Sequence, residues 1–417
     1  MDYKKSADGM MRLVKKVVDE IGPRLPGSDE ERAAAKLISS EYEKNIGLKT
    51  VSEPFKVAPL STIGFIPYLG YIAICGFLLF FIMPIFATIA ASIVLIYAFT
   101  MVFVYTDIFK FLWSKKDSEN FYTVQEARSG KSDFTIILGA HYDSSWHWIL
   151  QYNNPKTFLP KLALGIVAVL MLFVTGIVLT ATGNNVPIWT AIANYSANPW
   201  SATQWTMLIL PLLLSPGLVF LTLFLSHDKS IASPGAMDNL SGIALNMEIA
   251  KHFNANPEEL PDNCRLVAMA FGCEEAGLKG SMAFVKKHKT DGLLNNAYFI
   301  NTDAVSDGEY FEVVTGDLMQ LTNFDPEMIK LGYECLQETG VVKKTGKIIN
   351  PIGGCDSTPF AKAGVPTVTI AAQNPVPSTY YHTKDDRPER LSTEVFAQGL
   401  EVIYRFVKKI CDKETSK

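Results

Sequence analysis

FTIILGAHYDS, residues 134–144, decides the fold. Its first seven residues form a short apolar run, and His141, Tyr142 and Asp143 follow without a gap. A short apolar run bounded by a polar turn reads as a buried strand. In open α/β sheets, sites form beyond the carboxyl ends of such strands. The same pattern recurs three times. RLVAMAF (265–271) runs into Glu274-Glu275, AYFINTD (297–303) ends on Asp303, and TVTIAA (367–372) precedes His382. Helical patterns follow or intervene at 241–253, 279–288, 325–338 and 392–410. Strands alternating with helices predict an α/β domain with a mostly parallel mixed sheet flanked by helices.

Two stretches interrupt this pattern. Residues 57–106 and 162–226 contain no Asp, Glu, Lys, Arg or His. The rest of the chain carries every charged residue, about a quarter of its positions, as expected of a soluble domain. A spanning helix needs about 20 mostly apolar residues. Each stretch therefore holds two spans, roughly 63–83 with 85–106 and 162–182 with 205–226, and Met83-Pro84 suits the first turn between them. The expected organisation is a discontinuous domain over 1–57, 107–161 and 227–417, with transmembrane hairpins at 58–106 and 162–226. Paired spans put the three soluble pieces on one side of the bilayer. Lys49, Lys56, Lys110, Lys115, Lys116, Lys156, Lys161 and Lys229 flank the spans on that side, and the opposite loops hold no Lys or Arg. The positive-inside rule predicts a multi-pass protein with its soluble domain in the cytosol.

Composition excludes several classes. The net charge of −4 leaves no basic footprint for nucleic acid, so no nucleic-acid partner is expected. The six cysteines show no CxxC spacing, which argues against a zinc knuckle or a disulfide framework. The opening MDYKKSADGMMRLVKKVVDE (1–20) reads as an amphipathic helix and not as a secretory signal.

Taken singly, the polar residues at the strand ends have ordinary explanations. Asp238, in GAMDNLSG (235–242), opens a helix and could cap it. Glu274-Glu275 could be a solvated turn. Taken in order, His141, Asp143, Asp238, Glu274, Glu275, Asp303 and His382 stand on successive strand ends. Two histidines and several carboxylates converging there suit a zinc pair bridged by a carboxylate.

These stretches resemble the zinc aminopeptidases of metallopeptidase family 28, a family that also includes glutamate carboxypeptidases and glutaminyl cyclases. The resemblance rests on GAHYDS (139–144), GAMDNLSGIA (235–244), FGCEEAGLKGS (271–281), NTDA (301–304), GGCDSTPFAKAGVPTVTI (353–370) and YHTKDD (381–386), with the lead-in VDEIGPRLPGSDEERAAAKLI (18–38). It implies a zinc aminopeptidase-like fold and two zinc ions per chain. Asp238 would bridge them, with Glu275 and His382 completing one site and His141 and Asp303 the other. The resemblance makes Glu274 the general base of a metal-activated water and Asp143 the residue that orients His141. Residues i and i+2 on an extended chain point the same way, which agrees with that last role. Tyr380 or Tyr381 would either assist an oxyanion or pack. The family joins its first His motif to the bridging Asp by a short loop, whereas here that join holds two spans.

The leading expectation is a membrane-anchored zinc aminopeptidase acting on peptide substrates at a lipid bilayer. The alternatives are a glutaminyl cyclase-like enzyme or N-acyl amino acid amide hydrolase, and a non-catalytic membrane scaffold. Scaffold relatives lose ligands, and every expected ligand is present here.

Overall fold

The structure is a computed structural model, and it describes every residue except 106–109, 195, 198, 224–226, 375–379 and 417. The ends of the expected spans at 106 and at 224–226 lie outside the described residues. The chain forms two compact units. One comprises 1–59, 111–147 and 229–417, and the other 60–110 and 148–228.

The first unit is built on a nine-stranded mixed sheet. Its strands are β1 (Thr50–Val57), β2 (Lys116–Gln125), β3 (Phe134–His141), β4 (Cys264–Phe271), β5 (Ala297–Val305), β6 (Phe311–Asp317), β7 (Thr322–Asn323), β8 (Gly346–Asn350) and β9 (Thr367–Ala372). The order is β1-β2-β4-β3-β5-β9-β6-β8, with β7 on β6. The four strands expected from sequence form its parallel centre, β4-β3-β5-β9. On either side of this centre the sense reverses, with β2 antiparallel to β4 and β6 antiparallel to β9, while the outermost β1 is antiparallel to β2 and β8 parallel to β6.

β3 is buried throughout, so its alternating side chains feed two cores. Ile136, Leu138 and Ala140 pack with the helices Tyr3–Glu20, Gly242–Ala255 and Thr393–Thr415. Ile137 packs on the opposite face with Phe271, Phe284, Phe299 and Phe360, beneath the helices Lys279–His288 and Ser357–Lys362. Gly139 lies on that second face, where a Cβ would fall 2.4 Å from the Phe299 ring. The absent side chain lets the aromatic layer close over the strand that carries His141.

The second unit is helical: Ile66–Phe80, Pro84–Tyr97, Phe158–Ala181 and Ala202–Leu223 are its long elements. Among the described residues, three stretches are long and apolar enough to cross a membrane: Leu60–Phe80, Phe158–Ala181 and Ala202–Leu223. The fourth apolar helix, Pro84–Thr100, is shorter. Met83 caps it in extended conformation with Pro84 at the first helical position, as the sequence predicts. Small residues let these helices approach closely, as in membrane bundles. A Cβ on Gly76 would lie 2.4 Å from that of Ala90, and one on Gly217 would lie 2.6 Å from the Leu164 carbonyl. Thr88 Oγ1 donates to the Phe173 carbonyl across a helix pair (3.2 Å). Large apolar side chains such as Leu78, Ile96, Ile166 and Leu213 face outward.

Candidate metal centre

Each expected residue reaches the site from a strand end or from a loop that is tied down by buried polar groups. His141 is the last residue of β3 and is 1% exposed. Its Nε2 stands 3.0 Å from Asp238 Oδ1 and 3.9 Å from Asp303 Oδ1. Asp238 comes from the turn leading into the Gly242–Ala255 helix, and the Asp238–Asn239 peptide bond is cis. Asn239 secures this turn: its Nδ2 donates to the Thr302 carbonyl (2.9 Å), and its Oδ1 accepts from the Gly242 and Ala304 amides. A Cβ on Gly242 would lie 2.5 Å from both Asn239 Oδ1 and the Thr302 carbonyl, so glycine permits this approach to β5. His382 Nε2 lies 3.0 Å from Asp238 Oδ2 and 3.1 Å from Glu275 Oε1.

Two groups of three result, His141-Asp238-Asp303 and Asp238-Glu275-His382, and the donor atoms of each lie within 4.8 Å of one another. Asp238 belongs to both. Glu274 belongs to neither, and its Oε2 stands 3.9 Å from His141 Nε2.

Asp143 does more than the sequence suggests. It sits 3.4 Å from His141 Nδ1, and its two carboxylate oxygens accept the amides of Glu274 and Glu275, each at 3.0 Å. It thus links the β3 end to the loop after β4.

The sequence reading assigned no role to several further residues. Arg24, fully buried, donates to the carbonyls of Tyr142 (2.7 Å), Pro234 (2.7 Å) and Gly235 (3.0 Å), which ties together the two segments bearing His141 and Asp238. Glu31, also fully buried, accepts from the amides of Gly27 (2.7 Å) and Cys273 (2.8 Å), so Glu31 and Asp143 hold three successive amides of the Cys273-Glu274-Glu275 loop. Asp386 accepts from the amides of Met237 (2.7 Å) and Asp238 (3.1 Å). Arg24 and Glu31 lie in the lead-in stretch and Asp386 in YHTKDD, so both motifs already pointed to them. Asp356, inside GGCDSTPF, is 1% exposed, and neither of its oxygens finds a hydrogen-bond partner among the described residues.

The tyrosines divide. The Tyr381 ring stacks on that of His382 with centroids 3.6 Å apart. The Tyr380 hydroxyl pairs with Ser306 Oγ at 2.7 Å, and Arg390 stands over its ring.

Electrostatics set the demand for a cation. Burial pushes the Glu274 and Asp303 carboxyls well above the usual range; His141 opposes this, while neighbouring carboxylates, Asp356 among them, add to it. Asp356 is pushed up to about 7 by burial, with His141 opposing. Burial also acts against Asp238, but the two imidazoles beside it hold its carboxyl below the ordinary range. Asp238 Oδ2 and Glu275 Oε1 are buried and accept no hydrogen bond of proper geometry among the described residues. Buried acceptors of this kind need a partner. Imidazole nitrogens and carboxylate oxygens are donors that zinc takes, so the residues present fit it.

A mixed α/β sheet with two such triads sharing one carboxylate is the arrangement of a metallopeptidase-type domain. Residues 221–407 match the model described as Peptidase family M28. The chain is 26% identical over 205 residues to aminopeptidase YwaD of Bacillus subtilis (strain 168), a match covering 48% of this chain. The chain spans less than half of that relative's length, 42%. Among solved structures, the zinc aminopeptidase BSAP from Bacillus subtilis superposes with a TM-score of 0.57 at 15% identity, covering 97% of this chain and 94% of that one. A glutaminyl cyclase from an Acidobacteriales bacterium gives a TM-score of 0.55 at 14% identity, covering 98% and 95%. At such identities these likenesses establish the fold.

Proposed function

We propose that the protein is a membrane-anchored, zinc-dependent aminopeptidase that removes N-terminal residues from peptides. The observation that carries this reading is the sharing of Asp238 between two metal-type triads, with Glu274 beside them and outside both. His141 and Asp303 would hold one ion, Glu275 and His382 the other, and Asp238 both. Zinc bound there supplies Lewis acidity for the scissile carbonyl and for a water. Glu274 takes the proton of the attacking water and delivers it to the leaving amine. Asp143 and Glu31 support that role by fixing the backbone on which Glu274 sits. The relative named an aminopeptidase agrees with this activity. The test is a substrate screen on detergent-solubilised, zinc-loaded protein. Peptides with free N-termini should be cleaved, and the same peptides with acetylated N-termini should not. Equal rates on both, or cyclisation of N-terminal glutamine with release of ammonia and no cleavage, would replace the aminopeptidase reading.

We also propose a multi-pass topology with the peptidase domain facing the cytosol. The apolar helices and the eight flanking lysines support it. Cysteine labelling at positions 185–193 should come from outside the cell, with both termini protected. The reverse pattern would move the site to the other side of the membrane.

A further inference from the structure

His147 is the last residue of the first unit before the chain passes into the second. It stands three residues past GAHYDS (139–144), outside every stretch that carries the family resemblance. It is nevertheless 5% exposed, and its Nδ1 accepts the amide of Lys384 at 3.1 Å. An amide can only donate, so Nδ1 carries no proton and the ring is held as an acceptor.

Lys384 lies two residues beyond His382, in the turn that brings that imidazole to Asp238 and Glu275. His382 has a positive φ of 55°. A non-glycine residue in that region is kept there by its surroundings and not by its own preference. The turn supplies part of the constraint. The Thr383 amide and hydroxyl both donate to the Tyr380 carbonyl, the Asp385 amide donates to Thr383 Oγ1, and the Asp386 amide donates to the Thr383 carbonyl. The amides of Thr383, Asp385 and Asp386 are thus bonded within the turn, and that of Lys384 is bonded to His147.

The segment that carries His147 is itself fixed. Ser144 donates its amide to the Arg24 carbonyl (3.0 Å), and its Oγ accepts the Arg24 amide (2.8 Å). The Ser145 carbonyl accepts the Ser233 amide (3.0 Å). His147 therefore connects the His382 turn to the same Arg24 that braces the segments of His141 and Asp238.

We propose that His147 is a positioning residue for His382: by holding the Lys384 amide it fixes the turn that presents His382, and so sets the zinc affinity of the Asp238-Glu275-His382 triad and not that of the His141-Asp238-Asp303 triad. This inference rests on the metal-centre reading above. Without the acceptor, the Lys384 amide loses its bond and the His382 backbone can relax out of the left-handed region, which takes the imidazole off Asp238. Groups that orient a metal ligand from behind contribute about 10–100-fold in metal affinity.

Two variants of similar shape separate the hydrogen bond from the bulk of the ring. In His147→Leu a methyl group takes the place of Nδ1 and accepts nothing. In His147→Asn the side-chain oxygen hangs from the same γ carbon and accepts as Nδ1 does. Zinc is titrated against a competing chelator on detergent-solubilised protein, in two backgrounds that each leave one triad whole. Asp303→Ala keeps the triad of His382, and His382→Ala keeps that of His141. In Asp303→Ala, adding His147→Leu should lower zinc affinity by at least ~10-fold, and His147→Asn in its place should restore most of it. In His382→Ala, His147→Leu should leave zinc affinity unchanged. An unchanged affinity in the first background, an equal loss in both, or an asparagine variant as poor as the leucine one overturns the proposal. Absence of bound zinc in the wild-type protein, read before any variant is made, overturns the metal-centre reading itself.

Discussion

Asp238→Ala is expected to abolish metal binding at both triads, whereas Asp303→Ala and Glu275→Ala should each weaken one. Asp238 is the residue common to the two triads, with one oxygen 3.0 Å from His141 Nε2 and the other 3.0 Å from His382 Nε2. No neighbour can replace it, since its position depends on the turn secured by Asn239 and Asp386. Metal analysis should find up to two zinc ions per wild-type chain and well under one in the variant. Peptide hydrolysis should fall by more than ~10³-fold, because Lewis-acid stabilisation of the transition state is worth several kcal/mol. Exhaustive chelation of the wild-type protein should reach the same floor. Full zinc content and turnover in Asp238→Ala would show that the triads are not the metal centre.

Glu274→Gln is the second large effect, and it should separate chemistry from metal binding. The amide is nearly isosteric, and the Glu274 backbone amide remains held by Asp143 Oδ1. Zinc content and thermal midpoint should therefore stay close to wild type. Turnover should fall by ~10²–10⁴-fold, the usual contribution of a positioned general base. Burial and the surrounding carboxylates keep the Glu274 carboxyl high, with His141 opposing, which suits a group that must both accept and return a proton. A near-wild-type rate would mean that another group moves the proton. Asp356, buried and electrostatically coupled to Glu274, is then the residue to replace next.

The readable parts of this protein share a physical basis. Runs such as FTIILGA and RLVAMAF are apolar on both faces, as strands covered by helices on two sides must be, and they became β3 and β4. The outer strands were not read. TVSEPFKV, the edge strand β1, carries Pro54 and alternates with charged residues because an edge strand buries little, and KDSENFYTVQ, paired on both sides as β2, begins polar where its first two residues are exposed. The lipid-type helices were legible from missing charge, but their limits were not. The Phe158–Ala181 helix begins before Lys161, which a boundary drawn at the charge places outside. Lys161 is accommodated because its ammonium bonds Asn154 and sits over the Phe220 ring. The Ala202–Leu223 helix contains Pro211 and Pro216, which sequence rules treat as breaks in soluble helices but which membrane helices tolerate.

At the site, sequence alone determined which side chains could supply a metal centre, since hard donors at the carboxyl ends of parallel strands are a local pattern. Sequence could not determine what holds them, since that depends on contacts between distant segments. Arg24 reaches carbonyls 118 and 210 positions away, and Glu31 reaches the amide of Cys273 across 242. Asp143 was legible as a neighbour of His141, but its bonds to the Glu274 and Glu275 amides exist because β3 lies parallel to β4. The residue types were written in the chain; which of them share a row, a face or a hydrogen bond was decided by strand pairing, which only the folded sheet contains.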